Sequence, residues 1–173
     1  MKKVAVFFAD GTEEIEGLTP VDVLRRAGAV CDIVSVGDEY LTGSHGIVVK
    51  ADKLVKDIDL DEYDALVIPG GMPGAINISK TKKVISAIKK ALENKKLVCA
   101  ICASPAVVLA DNGLLNVAKA TCYPAQQFIN SLGQKYTASD VEIYNNVITA
   151  NGPKSAMAFS LEICKALNIS PKF

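Results

Sequence analysis

Three apolar runs restrict this chain more than any other feature. Val4-Ala5-Val6-Phe7-Phe8 carries no polar residue on either side of an extended chain, nor does Ala65-Leu66-Val67-Ile68 after Asp64, nor Leu97-Val98-Cys99-Ala100-Ile101. A strand with one face in water alternates apolar and polar residues, so an unbroken run predicts a strand covered on both faces. The segments between these runs have helical spacing. From Glu13 to Ala27, residues Ile15, Leu18, Val21, Val23 and Leu24 make an apolar stripe, with Pro20 inside it and Gly28 as its stop. Asp10 and Glu13 fit a capping box at its start. Val84, Ile85, Ile88, Ala91 and Leu92 form a second stripe, opposite Lys82, Lys83, Lys89 and Lys90, which read as a solvated face. Strand alternating with helix predicts one domain over residues 1–173, a flavodoxin-like, doubly wound three-layer α/β sandwich with a mostly parallel central sheet. Ligands are then expected at the carboxyl ends of the strands.

Shorter elements complete the pattern. Cys31–Val36 reads as a strand, and residues 40–50 as a hairpin. Val141–Tyr144 and Val147–Ala150 flank an Asn145-Asn146 turn. Asn151-Gly152-Pro153 opens a last helix running through Leu167, with proline in its first turn.

Composition narrows the function. The 19 basic and 19 acidic side chains cancel, aromatics are 6% of residues and tryptophan is absent. That gives neither the basic footprint nor the stacking platform of a nucleic-acid binder. No apolar run approaches the roughly 18 residues of a membrane span, and the run that opens the chain stops at Asp10, short of a signal-peptide core. Five cysteines, at 31, 99, 102, 122 and 164, form an odd set, expected to be reduced thiols in the cytoplasm. One histidine, His45, and no clustered cysteine pairs argue against a structural zinc site.

The chemistry concentrates where Leu97–Ile101 ends. Cys102 follows that strand, Ser104 is placed to cap the next helix, and Pro105 to take its first position. A thiol at a helix amino end is expected to ionise below its usual pKa of about 8.5, and a sharp strand-to-helix turn presents it to solvent as in a nucleophile elbow. The alternative is a small buried hydrophobe. Cys99-x-x-Cys102 also spells a redox pair. With Cys99 inside a strand, however, the two residues lie about 10 Å apart, beyond disulfide reach.

Two further stretches belong to the same edge. Asp10-Gly11-Thr12-Glu13-Glu14-Ile15-Glu16 holds four acids in seven residues. Each complements a helix dipole, and one packed against apolar neighbours would keep its proton and serve as general acid or base. Position alone does not choose among Glu13, Glu14 and Glu16. Pro69-Gly70-Gly71-Met72-Pro73-Gly74 resembles a phosphate-binding glycine turn but departs from G-x-G-x-x-G. Its glycines would equally let backbone amides reach a reacting oxygen.

The stretches DGTEEIEGLTPVDVLRRAG, YDALVIPGGMPGA, AICASPAVVLA and ITANGP stand in this order along essentially the whole chain. Together they resemble the ThiJ/PfpI family, on its branch of protein deglycases and YajL-like chaperones. The resemblance implies a homodimer of class I glutamine amidotransferase-like sandwiches. It makes Cys102 the reactive nucleophile and Glu16 its protonated partner, and puts the Gly71 and Ala103 amides at the oxyanion. It implies glyoxalase or deglycase activity on methylglyoxal-type carbonyls without cofactor or metal, and roles in oxidative stress and with unfolded-protein clients. Gly70, Tyr123 and Cys122 are carried as neighbours of the substrate or of an oxidised sulfur. The protease branch has histidine directly after its cysteine, where Ala103 stands here, so a peptidase dyad is not expected. The deglycase branch often has a histidine at the place of Tyr123. Three readings follow: a glyoxalase- or deglycase-like enzyme, a non-catalytic redox sensor or holdase using the same cysteine, and a nucleotide or flavin binder. His45 reads as a surface or interface residue.

Overall fold

A computed structural model describes residues Met1–Phe173. The three apolar runs are strands β1 (Lys3–Phe8), β6 (Ala65–Ile68) and β7 (Leu97–Ile101), side by side at the centre of a seven-stranded sheet. The other strands are β2 (Val30–Ser35), β3 (Tyr40–Thr42), β4 (Val48–Lys50), β5 (Lys53–Leu54), β8 (Val141–Tyr144) and β9 (Val147–Ala150). The sheet order is β5-β2-β1-β6-β7-β9-β8, and every pairing is parallel except β8 with β9. β3 and β4 form the separate antiparallel hairpin that the turn signals at 40–50 predict. The chain steps from β1 to β2 on one side and returns to β6 on the other, so the order reverses between β1 and β6. A crevice is expected outside the carboxyl ends of such strands.

Helices α1 (Glu14–Arg26) and α5 (Ala156–Ala166) cover one face. Their Val21, Leu24, Phe159 and Ile163 pack on Val4, Val6, Phe8 and Ile101. Helices α2 (Gly74–Ser79), α3 (Lys82–Glu93) and α4 (Gln126–Leu132) cover the other, where Ile78, Val84, Ile88 and Phe128 pack on Phe7, Ile68, Val98 and Ala100. Each central strand thus sends alternate residues into two separate cores, which explains why the runs contain nothing polar. α1 approaches β1 closely because Gly17 lies on the Phe8 ring, where a β-carbon would overlap it.

Several local expectations are corrected. α1 is capped by Glu13, whose Oε2 accepts from the Glu16 amide at 2.8 Å. Asp10 instead accepts from the Thr42 amide, so the Asp10–Glu13 capping box does not form. Ile15 points to solvent, 54% exposed, outside the buried stripe. Pro20 is accommodated without a break, and Gly28 (φ +79°) closes the helix with Gly28 N donating to Arg25 O and Ala29 N to Leu24 O. The segment after β7 is not an α-helix: Pro105–Leu109 is a π turn running into a tighter turn, Ala110–Asn112. Ser104 is already helical in backbone, and its hydroxyl donates to Pro69 O instead of capping. α4 had no sequence signal, since only Phe128 and Leu132 of its seven residues are buried. No helix is long and apolar enough to cross a membrane.

Candidate active site

Cys102 follows β7 with φ +64°, a left-handed backbone that costs a non-glycine residue about 1–3 kcal/mol. Two hydrogen bonds hold it there. Cys102 N donates to Ala150 O at 2.9 Å, and Tyr123 N donates to Cys102 O at 2.8 Å. The thiol is thereby turned out of the strand and half-buried, as a nucleophile elbow requires. The Ser104–Pro69 bond draws the end of β6 against the end of β7, and the backbone amides of Gly71 and Ala103 both reach the sulfur.

Glu16 comes from the first turn of α1 and is fully buried. Its Oε2 accepts from Gly70 N at 2.8 Å. Its Oε1 is buried without a partner in full hydrogen-bond geometry, and the polar neighbour on that carboxyl is the Cys102 thiol. Gly70 is what allows the approach: a β-carbon there would stand 2.6 Å from both Cys102 Cβ and Glu16 Oε2. Gly71 (φ +87°) is equally confined, against Glu13 N and Gly11 O. The Gly70 amide is given to Glu16, and only that of Gly71 is left facing the sulfur and whatever the sulfur binds.

Burial raises Glu16 to about 7, against the hydrogen bonds from Cys102 and Gly70 that lower it; the charge of Glu13 adds to the rise. Burial also raises the Cys102 thiol, followed by the charge and hydrogen bond of an ionised Glu16, while the Gly71 and Ala103 amides pull it down. A thiol depressed by an α-helix dipole is therefore corrected. No α-helix starts here, and only two amides reach the sulfur. An ionised Glu16 disfavours ionisation of the thiol beside it, so a Cys102 thiolate requires a protonated Glu16.

The other two acids of the cluster do different work. Glu13 caps α1. Glu14, 5% exposed in its side chain, lies under the β3–β4 loop. It accepts from His45 N at 2.8 Å, Ile47 N at 3.3 Å and Ser44 Oγ at 3.4 Å, with His45 Nδ1 at 3.0 Å. Burial alone would raise Glu14, but the His45 ring and the loop amides bring it down to about 2. Glu13, Glu14 and His45 lie within 4.8 Å of one another. Since Glu14 already has both oxygens occupied by donors, the group reads as an ion-pair cluster and not as a metal-ligand set.

Of the remaining sequence candidates, Tyr123 is 45% exposed beside Gly152 and linked to Cys102 through its backbone. Cys122 is fully buried in the core on the α2–α3–α4 side, whereas Cys102 packs against the opposite core. Burial raises Cys122 to about 11. Cys99 is buried and all five thiols are free. A cavity of about 450 Å³ opens at the amino edge of the sheet, between Leu92, Lys95, Asn116 and Asn145, and takes no part in this arrangement.

A doubly wound sandwich that offers a cysteine on a left-handed elbow, faced by a buried carboxyl from the first helix, defines a class of cysteine-bearing α/β proteins. The chain matches the model of the DJ-1/PfpI family over residues 2–166 and belongs to that family. It is 38% identical over 169 residues to protein DJ-1 homolog B of Arabidopsis thaliana, covering 96% of this chain and 38% of that one. To the Parkinson disease protein 7 homolog of Danio rerio it is 33% identical over 170 residues, covering 96% and 89%. The chain thus spans about two fifths of the Arabidopsis relative. Among solved structures, oxidized Toxoplasma gondii DJ-1 superposes with a TM-score of 0.92 at 40% identity, covering 96% of this chain and 91% of that one.

Proposed function

We propose that this protein is a cofactor-independent, cysteine-dependent enzyme acting on small 2-oxoaldehydes of the methylglyoxal type, or on their adducts, in the manner of a glyoxalase or deglycase. One observation carries the reading: an outward-turned thiol on a left-handed elbow faces a buried carboxyl that has an oxygen to spare. The Cys102 thiolate adds to the aldehyde carbon and forms the C–S bond of a hemithioacetal. The Gly71 and Ala103 amides hold the oxygen that gains charge. Glu16 gives its proton to that oxygen and, now a carboxylate, carries the proton from C1 to C2 while the hydroxyl proton passes from O1 to O2, so C1 is oxidised to acyl as C2 is reduced to a secondary alcohol, with no outside electron acceptor. Water then cleaves the thioester, releasing a 2-hydroxy acid and the thiol.

Methylglyoxal turnover tests this directly. Cys102→Ser is expected to abolish it, and Glu16→Gln to lower it by about 10²-fold or more. Full turnover by Cys102→Ser overturns the reading.

A second reading rests on the same spare oxygen: peroxide oxidises Cys102 to sulfenic and then sulfinic acid, whose oxygens Glu16 and the two amides hold, in a redox sensor or holdase. Mass spectrometry after mild peroxide is expected to find oxygen on Cys102 alone; even modification of all five cysteines counts against it. We further propose a homodimer through the adjoining α1 and α5, where Ile15, Met157 and Leu161 are 54%, 47% and 38% exposed. Sedimentation gives the mass, and a monomer at micromolar concentration refutes it.

A further inference from the structure

His45 is the chain's only imidazole and stands on an exposed loop. Its surroundings are built with some care. The β3–β4 hairpin is joined to the segment bearing Glu16 by three backbone-directed bonds: Gly11 N to Thr42 O at 2.9 Å, Thr42 N to Asp10 Oδ1 at 2.9 Å and Ser44 N to Thr12 O at 2.9 Å. These bonds lay His45 on the α1 amino end, with Nδ1 3.0 Å from Glu14 Oε2 and 3.6 Å from Glu13 Oε1. Glu13 in turn caps the Glu16 amide and repels the Glu16 carboxylate. Two carboxylates therefore stand within three residues of Glu16 on its own turn, and one cation offsets them.

We propose that His45, as imidazolium, is a positioning residue for the Cys102–Glu16 pair: by neutralising Glu13 and Glu14 it lets the pair take on its negative charge at lower pH. Glu16 faces the Cys102 thiol from β7, the Gly70 amide from the β6 turn and Glu13 on its own turn. His45 faces Glu13 and Glu14. The hydrogen bond to Glu14, then that residue's charge, raise His45 above its ordinary pKa, so the cation persists toward neutral pH. Ser44 and the loop amides keep Glu14 in place whichever form His45 takes, so the effect on the pair is one of charge. The role rests on the proposed use of the pair but is read from the thiol itself.

The experiment is the pH dependence of Cys102 alkylation by iodoacetamide, mapped by mass spectrometry, in wild type, His45→Gln and His45→Lys. Losing one partly screened unit charge beyond Glu13 and Glu14 shifts such a midpoint by about half a pH unit, or about threefold in rate below it. The midpoint is expected to rise by this amount in His45→Gln, to stay at the wild-type value in His45→Lys, and to lose its dependence on position 45 in 1 M salt. Carbethoxylation of the single histidine in the folded wild type should reproduce the His45→Gln shift, which keeps the test open if a variant folds poorly. An unmoved midpoint in His45→Gln, or equal shifts in the Gln and Lys variants, overturns the proposal. A failure of methylglyoxal turnover alone leaves this result standing and removes only the proposed reaction.

Discussion

Glu14 and Glu16 are two residues apart on one helical turn, both with side chains taken out of water, and the fold drives them in opposite directions, to about 2 and about 7. Burial raises each. What separates them is the number of donors. Glu14 meets the His45 ring, two amides and a hydroxyl from the β3–β4 loop, whereas Glu16 meets one amide and a thiol. Each carboxyl is also faced by a glycine whose β-carbon would collide with it, Gly43 for Glu14 and Gly70 for Glu16. The same local architecture thus gives a structural anion on one side of the helix and a proton carrier on the other. Desolvation by itself predicts the rise of Glu16 but not the fall of Glu14.

The largest effect is expected from Glu16→Gln, in two directions at once. Turnover should fall while the fold gains stability. A buried acid raised from 4.5 to about 7 costs the folded state nothing below pH 4.5, and the cost grows until pH 7. The gain measured by urea unfolding should therefore be about 2–3 kcal/mol at pH 8 and vanish near pH 4. Equal stability of the two proteins at pH 8 would mean that the fold does not raise Glu16. Gly70→Ala should come next, losing Cys102 alkylation and about 2 kcal/mol or more through overpacking. Gly43→Ala should leave the alkylation rate within about threefold of wild type while loosening the hairpin. If both substitutions silence the thiol alike, the two halves of the turn are not independent.

Glu14→Gln is the smaller counterpart. A carboxyl lowered from 4.5 to about 2 contributes stability that is complete above pH 4.5 and lost as pH falls toward 2. Although little of the side chain is exposed, the group sits just beneath one surface loop, where solvent screens it, so the loss at pH 7 is set at about 1–2 kcal/mol. Its signature is a difference from wild type that disappears on acidification, opposite in sign to that of Glu16→Gln. Smallest of all, Tyr123→Phe keeps the backbone bond that holds the elbow and should change turnover by less than about threefold.

The sheet was readable because a strand between two cores has no place for a polar residue, and Val4–Phe8, Ala65–Ile68 and Leu97–Ile101 have none. The position of Cys102 after the last of these followed directly. The separation of the three acids did not, since the donors that distinguish Glu14 come from Ser44, His45 and Ile47, some thirty residues away. The cap failed for a related reason: Asp10 was taken by the hairpin, and Glu13 took its place. The π turn after Cys102 has no periodicity of its own, so Ser104 and Pro105 read as the start of an ordinary helix, at whose amino end a thiol ionises too easily.

The groups around the sulfur come from the ends of β6 and β7 and from the turn that follows β1, the three middle strands. No lid, hinge or flap contributes to them. Warming the protein should therefore erase its chemistry and its secondary structure along a single curve, and amide exchange at Gly70 should be as slow as the slowest in the molecule.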